Sequence, residues 1–169
     1  MPTLVLALNY WLHLLSTVVW LGGLAMLTLV AWPEMRSRLT NGSADHEELI
    51  VGIEKRFRPL ANVSLIVLLV TGMLQMGGDP HYEGFLAISN TWSVALLTKH
   101  LVVLVMLAVT AVLQWGVQPA LDRARLTAQR SEQQRSEAQR QHDRLRRLGA
   151  INLGLGLLVL VLTAYLTAL

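Results

Sequence analysis

The stretch LVLALNYWLHLLSTVVWLGGLAMLTLVAW, residues 4–32, contains no Asp, Glu, Lys or Arg. About 20 apolar residues suffice to carry a helix across a hydrocarbon core of about 30 Å, and this run is longer. Lipid offers no partner for an unpaired backbone N–H or C=O, so such a segment has to be helical. It lacks the basic leader and the short apolar core, roughly 7–15 residues, of a secretory signal, and it reads as a retained span. Three further runs repeat the pattern, at about 59–77, 91–117 and 148–169. Pro59 suits the first turn of the second span, and Pro119 marks the end of the third. The expectation is an all-α polytopic membrane protein, a single domain (1–169) built as a four-transmembrane-helix bundle.

Composition agrees. Of 169 residues, 53% are hydrophobic and 15% charged, with mean hydropathy +0.47, against about 25% charge for an ordinary soluble domain. A soluble enzyme, a secreted disulfide scaffold and a disordered chain are excluded. With no cysteine, structural disulfides, Cys-ligated zinc and iron–sulfur clusters are excluded as well.

The charges that remain orient the spans. Of 14 Lys and Arg, five lie between spans one and two (Arg36, Arg38, Lys55, Arg56, Arg58) and eight between spans three and four, Arg123 to Arg147. The loop Asp79–Asn90 carries none. Cytoplasmic loops collect Lys and Arg, so both termini and the 79–90 loop are expected outside, with the Arg-rich loops cytoplasmic. This is the pattern of a multi-pass protein of a bacterial-type inner membrane, in contact with the lipid bilayer. The sequence pI of about 9.8 then reports topology rather than nucleic-acid binding, because the Arg-rich hairpin 118–147 has no interleaved aromatics for base stacking. DHEELIVGIEKRF, residues 45–57, spaces Leu49, Ile50, Ile53 and Phe57 as one helical face. It is expected to form an amphipathic helix over 43–58 at the membrane surface. The hairpin 118–147 is expected to extend spans three and four as helices.

Polar groups inside a span usually face the protein interior. Asn9, His13, Ser16 and Trp20 share one face of span one, and Gly23 continues it with room for close approach. Span two offers Ser64, Thr71 and Gln75, with Met73 and Met76 on an adjacent face. Span three carries Lys99 and His100, and span four Asn152, Gly156 and Thr163. His13 and His100 each lie about nine residues into a span that starts outside, roughly 13–14 Å below its outer end. A lone intramembrane histidine commonly satisfies itself on a nearby carbonyl, and Lys99 can snorkel to the headgroups. Three ionisable groups at one level on two spans favour instead a shared site of His13, Lys99 and His100, with Trp20 shaping the pocket. No Ser/His/Asp constellation at one depth points to hydrolase chemistry.

Taken in order, three stretches resemble the membrane domain of the copper resistance protein D (CopD) family. WLHLLSTVVWLGGLAML gives His13, Trp20, Gly22 and Gly23; RFRPLANVSLIVLLVTGMLQ gives Arg56, Phe57, Thr71 and Gly72; TWSVALLTKHLVVLVML gives Lys99. Full-length relatives tend to have more spans, and Thr91-Trp92 stands where the family often has Tyr-Gly. The resemblance implies copper handling, binding or transport. Copper(I) suits His and Met donors, which makes His13, His100, Met73 and Met76 the candidate metal ligands, and His81 in the loop DPHYEG a ligand on the way in. The His of span one with the Lys of span three is also similar to HemJ-type membrane protoporphyrinogen oxidases. That resemblance implies haem b between His13 and His100, with Lys99, Trp20 and Gly23 around it, and a role in electron transfer. If the chain is an enzyme, it is then a membrane haem oxidoreductase. A third reading is an accessory subunit packed against other membrane subunits.

Overall fold

Helix length follows the apolar pattern, and charge does not interrupt it. The computed structural model describes residues 3–34, 44–78, 91–127 and 132–168. Helix α1 spans Thr3–Met26 and runs on through a π-helical turn, Leu27–Ala31. Helix α2 spans Ala44–Gly77, and α3 spans Thr91–Ala111, followed by a second π-helical turn, Val112–Val117. Helices α4 (Gln118–Thr127) and α5 (Glu132–Ala168) complete the chain. Among the described residues there is no strand. Four stretches are long and apolar enough to cross a membrane: Thr3–Glu34, Val51–Gly77, Thr91–Ala124 and Ser136–Ala168. The all-α, four-span expectation is met. The 79–90 loop, and His81 with it, lies outside the described residues.

The two prolines expected at span ends sit inside helices. Pro59 is internal to α2, so residues 44–58 and the second span form one continuous rod of 34 residues. An amphipathic surface helix and a membrane span share the same backbone geometry, and membrane helices tolerate proline because neighbouring groups satisfy the carbonyl it frees. Pro119 likewise falls within α4 and does not end the third span. Its ring would clash with the carbonyl four residues back in a regular α-helix. The π turn changes that geometry: the N–H of Gln118 donates to Leu113 O, five residues back. The same device precedes Pro33, where the N–H of Trp32 donates to Leu27 O. Each π turn lies just before a proline and alters the backbone where the ring would meet the carbonyl four residues back.

The chain divides into two compact units, Met1–Ala87 and Ile88–Leu169. In the first, α1 packs along α2. Pairs along the contact run Trp32–Glu54, Gly23–Phe57 and His13–Thr71. One number rises as the other falls, so the two helices are antiparallel. Gly23 behaves as the small-residue stripe implies, since a methyl group built on it would overlap the Phe57 ring. In the second unit α5 packs against both α3 and α4, with Leu145 fully buried. There Asn152, 1% exposed, donates from Nδ2 to Thr110 Oγ1 at 2.9 Å. Leu4, Leu14, Val18, Leu101 and Val161 are all more than 60% exposed. In a chain of this hydropathy that surface faces lipid.

Candidate functional site

The polar stripe of span one becomes a set of defined contacts in the first unit. His13, half-buried on α1, has its Nδ1 2.8 Å from Thr71 Oγ1 on α2. Thr71, 5% exposed, donates its own hydroxyl proton back along α2 to Val67 O at 2.6 Å. One turn from His13, Asn9 donates from Nδ2 to the main-chain oxygen of Thr71 at 3.4 Å. Asn9 is 7% exposed, and its Oδ1 is a buried acceptor without a hydrogen-bond partner among the described residues. Gly72 lies beside the imidazole: a Cβ built on it would stand 3.6 Å from His13 Cε1, an ordinary contact. Ser16 and Trp20, at 7% and 6% exposure, are buried on the same face of α1, as the spacing predicts.

The other candidates fall out as follows. Met76 is buried at 9% exposure, whereas Met73 is 64% exposed and turned outward. Met76 lies four residues beyond Gly72, on the face that carries the His13 contact. The space left by Gly23 is occupied by Phe57. In the second unit Lys99 and His100 are both half-buried. His100 has Nδ1 2.8 Å from Leu96 O, one turn back on its own helix, the self-satisfying arrangement open to any intramembrane histidine. Among the described residues, no group of three or more His, Asp or Glu side chains gathers as a metal cage.

A carbonyl oxygen only accepts, so His100 Nδ1 carries the proton it shares with Leu96. In the neutral ring, Nε2 then holds the lone pair. Metal-bound histidines commonly donate their second ring N–H to a protein acceptor, which fixes the tautomer.

One polar pair was not singled out from sequence. Trp32, 2% exposed, donates its indole N–H to Glu54 Oε1 at 2.6 Å, and Glu54 is itself 7% exposed. The signal was present: Glu54 is four residues after Ile50 and three before Phe57, within the apolar face of the 45–57 pattern rather than opposite it.

Fold and side chains together define a multi-pass helical membrane protein that holds imidazoles inside its apolar spans. The sequence profile described as CopD, copper resistance protein D, matches residues 51–166, more than half of the chain. The chain belongs to that family. The matched residues take in the second span, the third span with Lys99 and His100, and most of α5, while α1 with His13 precedes them. No curated protein and no solved structure matches the chain.

Proposed function

We propose that the protein handles copper(I) within the membrane, by binding it or passing it on, with the Nε2 atom of His13 a nitrogen donor in the first unit and that of His100 a nitrogen donor in the second. The carrying observation is the setting of His13: an imidazole in an apolar span whose Nδ1 is engaged by Thr71 at 2.8 Å, which makes Nε2 the ring nitrogen that would meet a metal. Imidazole and thioether are suitable copper(I) donors, and low-coordinate copper(I) does not require a cage of three acidic or imidazole groups. Met76 is the thioether of choice because it is buried on the His13 side of α2; Met73 faces outward. Lys99 beside His100 supplies a further polar group. The Arg-rich segments are assigned to the cytoplasm, which places His13 and His100 in the outer half of the bilayer.

The test is a competitive copper(I) titration of detergent-purified protein with a chromogenic chelator, on wild type, His13→Ala and His100→Ala. The proposal requires stoichiometric copper(I) in wild type and weakened binding in each variant. Equal binding by all three would reject it. A Soret band in the purified protein that disappears in His13→Ala would replace copper with haem b. Other chains co-purifying with protein that binds neither would point to an accessory subunit.

A further inference from the structure

We infer that Thr71 is a positioning residue that holds His13 in the Nδ1–H tautomer and so presents Nε2 for coordination; this rests on the copper reading above for its purpose, but not for its geometry. A threonine hydroxyl has one proton and can accept as well. Thr71 Oγ1 lies 2.6 Å from Val67 O and 3.4 Å from Leu68 O, and neither carbonyl can donate. The hydroxyl proton is therefore committed to its own helix, and at the 2.8 Å contact with His13 the threonine oxygen accepts. The proton on that contact belongs to His13 Nδ1. Free neutral histidine in water prefers the opposite tautomer, with its proton on Nε2, so Thr71 selects the less common form.

The surroundings hold the arrangement in place. Threonine is β-branched and stiff about χ1, and the bond to Val67 pins its hydroxyl. Asn9 donates to the main-chain oxygen of the same residue, so α1 grips Thr71 at two points one turn apart. The His13 ring lies beside Gly72, with Cε1 3.6 Å from where a Cβ would stand. Sequence spacing puts Asn9 and His13 on one face of α1, but the acceptor that sets the proton's position comes from 58 residues away.

The experiment is 15N NMR of histidine-labelled full-length protein in lipid bilayers, with His13→Ala used to assign the His13 signals. It is run on wild type, Thr71→Val and Thr71→Ser, with copper(I) affinity measured in parallel. Expected is a protonated Nδ1 and an unprotonated Nε2 for His13 in wild type and Thr71→Ser. In Thr71→Val, which keeps the shape and removes the acceptor, the Nδ1–H signature should be lost and copper(I) affinity should fall about 10–100-fold, the usual scale for an outer-sphere partner. A protonated Nε2 in wild type, or an unchanged ring pattern in Thr71→Val, overturns the inference. If the ring pattern behaves as expected but His13→Ala binds copper(I) as wild type does, Thr71 keeps its role and the copper reading of His13 fails.

Discussion

Trp32 and Glu54 give the sharpest handle on how the first unit is held together. Their hydrogen bond is 2.6 Å long, and both partners are nearly inaccessible, at 2% and 7% exposure. Hydrogen bonds to charged groups contribute about 1.5–3 kcal/mol in soluble proteins. Within membranes, measured couplings average about 0.6 kcal/mol and reach about 1.7, because the unfolded chain also finds partners. Short length and burial place this pair near the top of the membrane range, so a coupling of about 1–1.7 kcal/mol is expected. The perturbation is a double-mutant cycle with Trp32→Phe, which removes the N–H and keeps an aromatic ring, and Glu54→Leu, which removes the acceptor and keeps similar bulk. Each single change also alters packing, and the cycle subtracts that part. Stability is read from far-UV ellipticity during SDS titration of mixed micelles. A coupling below about 0.3 kcal/mol would refute the claim that this bond clamps α1 to α2.

Three further outcomes are expected. Gly23→Ala should destabilise by about 1–3 kcal/mol, the usual cost of overpacking, because its methyl would run into the Phe57 ring; Phe57→Ala in the same chain should recover most of the loss in the same SDS titration. Met76→Leu should weaken copper(I) binding in the chelator titration, while Met73→Leu, at a position 64% exposed, should leave it unchanged. Reporter fusions in the 128–131 segment should be active only in the cytoplasm, and fusions in the 79–90 loop only outside; the reverse pattern rejects the assigned orientation.

Some of this was legible in the sequence, and the reasons differ by feature. The four spans could be read because an uninterrupted apolar run of about 20 residues matches the bilayer core and is rare in water-soluble chains. Gly23 could be read as a close-approach point because no side chain stands there. Pro59 and Pro119 misled, since proline ends helices in water far more reliably than in a membrane interior. The π turns that lie just before Pro33 and Pro119 leave no periodic trace that a count of residues would detect. At the site, the stripe of Asn9, His13, Ser16 and Trp20 was visible as spacing. Its chemistry was not: the tautomer of His13 depends on Thr71, and pairing α1 with α2 in one register is a tertiary fact. The place of Glu54 on the apolar side of the 45–57 pattern was readable, but a carboxylate next to Lys55 and Arg56 is more simply taken as solvated.

The central claim is that an imidazole fixed inside the first span takes copper. Copper K-edge X-ray absorption on full-length protein loaded with copper(I) in bilayers tests it most directly. Outer-shell scattering characteristic of imidazole, diminished in His13→Ala, is the expected spectrum. A spectrum without imidazole scattering, or one that His13→Ala leaves unaltered, would contradict the account.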